Sequence, residues 1–417
     1  MTIDEKKAKV QAEANIAIDA NDGFGLIAMA TGTGKSKIGV DRIGELVRKN
    51  NFIYTKVLLV VPTEKLRDEG WRAEMAKWNY EAIWHSNVQR ECYASLHNIE
   101  SEDYDLVILD ECHNITPNNA IFFNNNVVRS CIGLTATPPT DPIKIRLLAN
   151  ILKVPIIHHS SYKLEIVPTY KVSLDEAVEM GLVAPYEVTI VTMPLNNTDK
   201  YIVSGKPPKT FLQTEQQKYD YHTRCVNFGM NKFNIINRMR FIYTLKSKTQ
   251  AAIKILEHVI PKDKRTLIFC GSKEQAKEVN PYWYFSKPSK PKKLELQSQY
   301  EQDLLGWKTN NSINFEDFAN QKINRLSCVA SLNEGVNLSN IDIIFIIQLN
   351  SNDKDLTQRM GRGLRLRPDY IGKIIILTIE NTVDIEWTKK ASLKLDDAKI
   401  KWITLDDLKT GKETINF

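Results

Sequence analysis

The segment MATGTGKS at residues 29–36 follows a short apolar run and precedes a stretch with helical periodicity. A strand, a glycine-rich turn and a helix in this order favour a phosphate-binding loop, because the glycines let the backbone amides face phosphates. Lys35 would place a positive charge beside the phosphates, and the Ser36 hydroxyl would coordinate Mg²⁺. Met29 replaces the first glycine of the strict pattern, so the segment alone leaves an ordinary strand–turn–helix connection open. The predicted nucleotide contacts in this loop are Thr31, Gly32, Thr33, Gly34, Lys35 and Ser36.

An acidic pair ends another apolar run, in LVILDEC at 106–112. Two adjacent carboxylates at the end of a buried strand are costly without a cation, and Mg²⁺ would offset that cost. Asp110 is predicted to hold the metal, and Glu111 to orient and deprotonate an attacking water. A solvated acidic turn is the common alternative for an isolated Asp-Glu pair. The phosphate-binding loop earlier in the chain makes the metal site the better interpretation.

Short apolar, β-branched runs alternate with helix-like segments in both halves of the chain. This alternation is typical of parallel sheets covered by helices, so the sequence predicts two α/β domains. The runs are LIAM at 26–29, VLLVV at 57–61, LVIL at 106–109 and CIGL at 131–134, then TLIF at 266–269, LSCVA at 326–330, IIFII at 343–347 and KIIILTI at 373–379.

Residues 160–240 carry fewer strand signals, which places a boundary between the two domains there. The predicted division is a first domain at 1–165, a linker and entry segment at 166–240, and a second domain at 241–417.

The amino-acid composition indicates the cellular compartment of the protein more clearly than its activity. The 417 residues carry a formal net charge of +6, which permits a polyanionic partner but does not require one. The six cysteines lie far apart and form no Cys-x-x-Cys pair, so a reduced, cytosolic setting is expected. The sequence contains no signal-peptide pattern and no apolar run long enough to span a bilayer, so no membrane association is expected.

With both elements in place, the sequence resembles the superfamily 2 helicases, with Asp110-Glu111-Cys112-His113 as a DECH version of their motif II. GLTATPP at 133–139 resembles motif III, LNEGVNL at 332–338 motif V, and QRMGRGLR at 358–365 motif VI. The resemblance implies two tandem RecA-like domains, each a mostly parallel sheet flanked by helices, with ATP and Mg²⁺ bound in the cleft between them.

Further roles follow from this resemblance alone. Arg362 and Arg365 would reach the γ-phosphate as arginine fingers, and Gln358 would sense the nucleotide. A solvated basic helix is the alternative for this segment taken alone. Gln11 lies about where the family keeps an adenine-reading glutamine, and Gly335 would lie near the nucleotide. The residues predicted to couple the nucleotide site to the rest of the motor are His113, Thr135 and Thr137.

Softer matches to motifs Ia, Ic and IV predict contacts to a nucleic-acid strand, mostly to phosphate. A turn or helix cap is the competing role for any one of these residues. The candidates are Thr63, Tyr93, Ser95, Ser272, Lys308, Thr309 and Ser331.

Two segments outside the motifs carry basic and aromatic residues. PYWYFSKPSKPKK at 281–293 interleaves aromatics with lysines, and two interpretations stay open. It is either a loop that grips duplex or separates strands, or a buried strand PYWYF followed by a solvated turn, which is slightly favoured. The basic stretch at 214–258 is predicted to be an amphipathic helix docked on the second sheet.

Within the superfamily, the resemblance is greatest to the branch that contains the phage UvsW-like helicases, XPB and restriction subunits. It implies an ATP-dependent DNA helicase or translocase that moves 3′ to 5′ on forked or branched DNA in repair, recombination or replication. The resemblance is compatible with a monomer and implies a cytoplasmic protein, in the host cell if the protein is phage-encoded. The alternatives are an RNA helicase, a duplex translocase that does not separate strands, and a nucleotide-switched binding module without hydrolysis.

Overall fold

A computed structural model describes residues 1–50, 55–159, 163–206, 209–229, 231–285, 297–306, 310–329, 338, 340–349, 354–367, 369–393 and 395–417. The chain divides into two compact units. Met1–Ala184 makes up most of the first, and the second begins at Pro185. No helix in the described part of the chain is long and apolar enough to cross a membrane.

The first unit contains ten strands and seven α-helices among its described residues. The strands are β1 (Phe24–Met29), β2 (Val57–Val61), β3 (Val88–Cys92), β4 (Asp103–Tyr104), β5 (Leu106–Asp110), β6 (Val127–Val128), β7 (Cys131–Thr135), β8 (Ile156–His158), β9 (Leu164–Ile166) and β10 (Tyr170–Val172). The helices are α1 (Ile3–Asp19), α2 (Lys35–Lys49), α3 (Trp71–Lys77), α4 (Glu81–Ser86), α5 (Ala120–Asn125), α6 (Pro142–Leu152) and α7 (Leu174–Glu179). A π-helical turn at Leu66–Gly70 leads directly into α3.

Six of these strands form one parallel sheet in the order β10-β1-β7-β5-β2-β3. Every residue of β1, β2, β5 and β7 is buried, as expected for apolar strands covered on both faces. Parallel strands end at the same edge of a sheet, so the loops that follow these strands lie along one edge.

The second unit contains nine strands and nine α-helices among its described residues. The strands are β11 (Tyr186–Met193), β12 (Ile202–Lys206), β13 (Lys209–Gln213), β14 (Thr266–Phe269), β15 (Trp283–Tyr284), β16 (Arg325–Cys328), β17 (Ile343–Ile346), β18 (Gly372–Ile379) and β19 (Ile400–Thr404). The helices are α8 (Glu215–Phe228), α9 (Lys232–Tyr243), α10 (Lys246–His258), α11 (Lys273–Val279), α12 (Gln297–Gly306), α13 (Ser312–Ala319), α14 (Lys354–Gly363), α15 (Val383–Ser392) and α16 (Leu405–Thr410).

Its main sheet is also parallel and has the order β15-β16-β14-β17-β18-β11-β19. Apolar residues of β11, β14, β17 and β18 pack with the buried faces of α10 and α15 in one core. All eight apolar runs named above overlap strands of the two parallel sheets, and strands β12 and β13 form a separate antiparallel hairpin.

The observed division differs from the predicted domain bounds at two strands. β10 lies beyond residue 165, yet it pairs with β1, and the Ala30 amide donates to the Val172 carbonyl at 3.0 Å. β11 lies within the segment predicted at 166–240 to be a linker, and it pairs with both β18 and β19. Each pairing joins residues far apart in the sequence, which local apolar patterns do not reveal.

The two basic segments also differ in detail from the predictions. The stretch at 214–258 contains three helices rather than one, because helical structure is interrupted at Gly229 and Asn231 and again at Thr244 and Leu245. Within PYWYF only Trp283 and Tyr284 form a strand, and the Trp283 ring stacks on Phe285 at a centroid distance of 4.5 Å. The lysines predicted after this strand, Lys287, Lys290, Lys292 and Lys293, lie outside the described residues.

Candidate nucleotide-binding site

The predicted site residues of the first unit, apart from Gln11 on α1, follow strands of the parallel sheet, at its carboxyl edge. The phosphate-binding loop follows β1, the acidic pair ends β5, and the Thr135–Thr137 segment ends β7, which lies between β1 and β5. Ligands of open parallel sheets bind at this edge. The fold therefore brings together three segments that the sequence separates by up to about a hundred residues.

Two glycines give the phosphate-binding loop its shape. Gly32 has φ +92° and Gly34 has φ +93°, a backbone conformation that L side chains rarely adopt. Helix α2 begins at Lys35, so its first amides lie next to the loop, where an anion is favoured. The Lys35 ammonium donates to the Met29 carbonyl at 2.9 Å, and the Thr33 hydroxyl donates to the Ala30 carbonyl at 2.7 Å.

Gln11 contacts this loop directly. Its side-chain amide on α1 donates to the Gly34 carbonyl at 3.3 Å. A Cβ on residue 34 would lie 2.4 Å from Gln11 Nε2, so the contact requires glycine there. Gln11, the residue predicted to read adenine, is therefore hydrogen-bonded to the phosphate-binding loop.

Asp110 is a buried carboxylate, 8% exposed, with two donors. The Trp71 indole N–H donates to Oδ2 at 2.7 Å, and the Glu111 amide donates to Oδ1 at 3.0 Å. Burial, followed by the charge of Glu111, raises the pKa of Asp110 to about 7, while the Trp71 hydrogen bond and Lys35 oppose the shift. A carboxylate in such a position favours a nearby cation.

Glu111 is held in an unusual backbone conformation, with φ +46°. Its Oε2 is buried without a hydrogen-bond partner among the described residues, and lies 3.4 Å from His113 Nδ1. The buried Asp110 carboxylate, the half-buried Glu111 carboxylate and the Ser36 hydroxyl are hard oxygen donors of the kind that Mg²⁺ prefers. The donor set therefore fits a magnesium ion held by Asp110 and Ser36.

A chain of contacts joins the acidic pair to the third segment. His113 Nδ1 lies 2.9 Å from the Thr135 hydroxyl. That hydroxyl donates to the Thr137 carbonyl at 3.2 Å and accepts from the Thr137 amide at 3.0 Å. His113, Thr135 and Thr137 are all buried, and these contacts join His113 to the loop after β7.

The residues predicted to touch a nucleic-acid strand differ in availability. Thr63 is exposed, but its hydroxyl accepts from the Leu66 amide at 3.3 Å as a cap. The Ser95 hydroxyl donates to Glu91 at 2.6 Å, and Ser272 caps α11. The structure contradicts the strand contact predicted for Tyr93. This residue is only 6% exposed, and its hydroxyl donates to the Asp110 carbonyl at 2.9 Å. Outside the described residues lie Lys308, Thr309, Ser331 and also Gly335.

Three predicted residues belong to the QRMGRGLR segment, and two of them, Gln358 and Arg362, lie on α14 of the second unit. Gln358 is buried, and its Nε2 has no hydrogen-bond partner among the described residues. Arg362 lies near the end of α14 and is half-buried. Arg365 follows the helix, and burial lowers the pKa of its guanidinium group.

The sequence did not predict the roles of two buried residues, one in each unit. Trp71 donates to Asp110, and Arg359 donates to the Gln348 carbonyl at 2.6 Å while its guanidinium lies over the Phe269 ring. Arg359 belongs to the QRMGRGLR motif, but the motif does not distinguish a buried structural arginine from a catalytic one. No local signal marks Trp71, because its partner lies 39 positions along the chain.

Two family models match separate parts of the chain. The model of the type III restriction enzyme, res subunit, matches residues 3–140. The helicase conserved C-terminal domain model matches residues 247–367. No curated protein sequence matches the chain.

Solved structures share the fold at low sequence identity. The ATP-dependent Type ISP restriction-modification enzyme LlaBIII bound to DNA aligns with a TM-score of 0.51 and 14% identity, over 95% of this chain and 31% of that chain. A fragment described as an HsdR subunit of a type I restriction enzyme from Vibrio vulnificus YJ016 aligns with a TM-score of 0.55 and 17% identity. The alignment covers 95% of this chain and 68% of that chain. A variant of S. cerevisiae Dbp5 bound to RNA and ADP BeF3 aligns with a TM-score of 0.54 and 12% identity. The alignment covers 97% of this chain and 91% of that chain. The chain thus spans about a third of the length of LlaBIII, and these likenesses establish the fold alone.

The fold and the site define a nucleotide-binding α/β protein with two tandem RecA-like domains, which confirms the predicted fold class. The two family matches support a superfamily 2 helicase, as the sequence motifs predict.

Proposed function

We propose that the protein is an ATP-driven motor that moves along nucleic acid and separates or remodels its strands. The observation that carries this proposal is the convergence of Lys35, Asp110 and Glu111 at one sheet edge, with Gln11 bonded to the phosphate-binding loop. The family matches support a helicase built around this site.

Each residue has a distinct task in hydrolysis. Lys35 and the amides at the start of α2 bind the phosphates, and Asp110 with Ser36 would hold Mg²⁺. When bound, the ion would neutralise negative charge on the phosphates. Glu111 orients the attacking water and accepts its proton. Arg362 and Arg365 act as arginine fingers that stabilise charge on the γ-phosphate, and Gln358 senses the nucleotide.

We further propose that the substrate is forked or branched DNA and that the motor moves 3′ to 5′, in repair, recombination or replication. The resemblance of the motifs to phage UvsW-like helicases supports this substrate. The match to a restriction-enzyme model and the fold shared with LlaBIII, a protein solved with DNA, agree with it.

The deciding experiment measures ATP hydrolysis with single-stranded DNA, duplex DNA, forked DNA and RNA, together with strand displacement. We expect forked or single-stranded DNA to stimulate hydrolysis most. We expect Lys35→Ala to abolish both activities, while Lys49→Ala, at the far end of α2, leaves both unchanged.

Other results would replace the proposal with a named alternative. Stimulation by RNA alone indicates an RNA helicase, and stimulation by duplex without displacement indicates a translocase. Nucleotide binding without hydrolysis indicates a switched binding module. Strand displacement retained by Lys35→Ala would refute the motor scheme itself.

A further inference from the structure

A hairpin and a helix of the second unit form an exposed cleft that the motor motifs do not use. Strands β12 and β13 stand apart from the main sheet, and α8 follows them directly. Between them is a cleft of about 390 Å³. We call this region the hairpin surface and define it by Lys200, Phe211, Leu212, Gln217, Asp220 and Arg224.

Large apolar side chains on the hairpin are exposed to solvent. Phe211 is 56% exposed, and Leu212 and Val203 are 54% and 67% exposed. Val203 and Leu212 are opposite each other across the hairpin and share one face, whereas Phe211 lies on the other face. A two-stranded hairpin that exposes apolar residues on both faces lacks a core of its own, so these residues favour a binding role.

The aromatic residues continue along the helices that follow the hairpin. Tyr221 on α8 is 48% exposed, Phe228 at its end is 90% exposed, and Phe233 at the start of α9 is 67% exposed. The Lys218 ammonium lies over the Tyr221 ring at 5.1 Å from its centroid. The rings of Phe228 and Phe233 are exposed and can stack on planar ligands, unlike those of Trp283 and Phe285, which stack on each other.

The same segment is strongly basic. Residues 200–240 contain eight Lys or Arg residues and only two acids, Glu215 and Asp220, so their net charge equals the +6 of the whole chain. Glu215 is fully buried, which leaves Asp220 as the exposed acid. A basic surface with exposed aromatics is complementary to a polyanion with planar groups.

Glu215 attaches the hairpin to the body of the second unit. Its carboxylate accepts from the Asn196 amide at 3.0 Å and from the Ser247 hydroxyl at 2.5 Å, and it also accepts from the Tyr201 hydroxyl. Lys218 of α8 donates to the Ser204 hydroxyl on β12 at 3.0 Å. These bonds hold the exposed side chains at a defined position relative to the helices.

We propose that the hairpin surface binds single-stranded nucleic acid, with bases stacked on Phe211 and phosphates neutralised by Lys200 and Arg224. This inference rests on the proposed function, because it adds a strand contact outside the motor motifs. Base–aromatic stacking supplies affinity without sequence preference, as a moving motor requires.

The test measures binding of fluorescently labelled oligothymidylate and oligouridylate by anisotropy over a range of salt. Phe211→Ala should weaken binding about 5- to 150-fold, the effect of losing one stacked base. The double variant Lys200→Ala/Arg224→Ala should lower the slope of log affinity against log salt by about 1.4, because two phosphate contacts are lost.

Matched controls lie elsewhere on the second unit. Trp402→Ala removes another exposed aromatic ring, from β19, and Lys389→Ala/Lys390→Ala removes two exposed lysines from α15. Both should bind like the unmodified protein. Circular dichroism and ATP hydrolysis without nucleic acid should be unchanged in all four variants, which shows that each is folded.

The outcomes separate this inference from the proposed function. If the unmodified protein binds neither oligonucleotide, the proposed function fails, and the inference fails with it. If it binds and the hairpin variants bind equally well, only the inference is overturned. It is also overturned if Phe211→Ala leaves binding intact but converts a dimer to a monomer in sedimentation, since the surface would then join copies of the chain.

Discussion

Trp71 shows how one side chain can connect three parts of the nucleotide site. Its indole donates to Asp110, and its ring packs on α2, where a Cβ on Gly39 would lie 2.7 Å from Trp71 Cη2. It follows a π-helical turn, a feature often found at functional sites. Trp84 is equally buried in the same unit, but its indole N–H has no hydrogen-bond partner among the described residues.

These two tryptophans allow a controlled substitution. Trp71→Phe should lower the free energy of unfolding by about 1–3 kcal/mol, because a buried carboxylate loses a donor. It should also lower kcat for ATP hydrolysis more than it changes KM, since Asp110 is then less firmly oriented. Urea unfolding and steady-state kinetics measure both effects.

Trp84→Phe is the matched control, because it removes an indole N–H that bonds to none of the residues that the structure describes. It should leave kcat unchanged. Equal losses of kcat in the two variants would show that the Trp71 hydrogen bond has no special role.

At the scale of the elements, buried polar contacts join helices of the second unit. Lys248 on α10 lies 2.5 Å from Asp384 on α15, and both side chains are at most 1% exposed. Gln348, after β17, accepts from Lys248 at 3.0 Å and donates to Asp384 at 2.7 Å. Arg359 of α14 donates to the Gln348 backbone carbonyl. The helix that carries Arg362, one of the two predicted arginine fingers, is thus connected to the core through this network.

Removing one partner of the buried Lys248–Asp384 pair should therefore lower the free energy of unfolding. Lys248→Met should lower the free energy of unfolding by about 3–5 kcal/mol, because Asp384 is left as an unpaired buried charge. Lys409→Met breaks an exposed pair with Asp406 at 3.2 Å, and it should cost less than about 1 kcal/mol. Urea unfolding of both variants tests the contrast. A loss below 1 kcal/mol for Lys248→Met would contradict it.

At the scale of the whole molecule, each unit has its own parallel sheet and core. In the first unit, β10 covers the edge of β1 and ends beside the phosphate-binding loop. The Leu26 amide donates to the Thr169 hydroxyl at 3.1 Å, and the Tyr170 hydroxyl donates to Glu13 on α1 at 2.7 Å. Each of these contacts involves a residue beyond position 165.

A fragment of residues 1–184 should therefore fold and bind nucleotide, whereas a fragment of residues 1–165 should be less stable. Removing β10 exposes backbone groups of β1, and a loss of about 2 kcal/mol would lower the midpoint of thermal unfolding by about 4–8 °C. Circular dichroism melting and titration with a fluorescent ADP analogue compare the two fragments. Equal midpoints and affinities would mean that the unit ends before β10.

Most of the nucleotide site was predictable because its signals are local. The loop at 29–36 and the acidic pair Asp110-Glu111 each combine a buried strand with the residues that follow it, and parallel strands bring such residues to one edge. Tyr93 was not predictable in this way. Its hydroxyl meets the Asp110 carbonyl only because β3 and β5 belong to the same sheet, so a hydroxyl proposed for a strand contact is buried.

The apolar runs, their alternation with helices and the glycine loop were determined by the sequence alone, since periodicity and backbone freedom are properties of neighbouring residues. The tertiary structure decided which distant segments pair and which side chains are buried. It placed β11 inside the second sheet, brought Trp71 to Asp110, and left Phe211 exposed on a hairpin. Such outcomes depend on the free energy of contacts between residues far apart in the chain, which no local pattern contains.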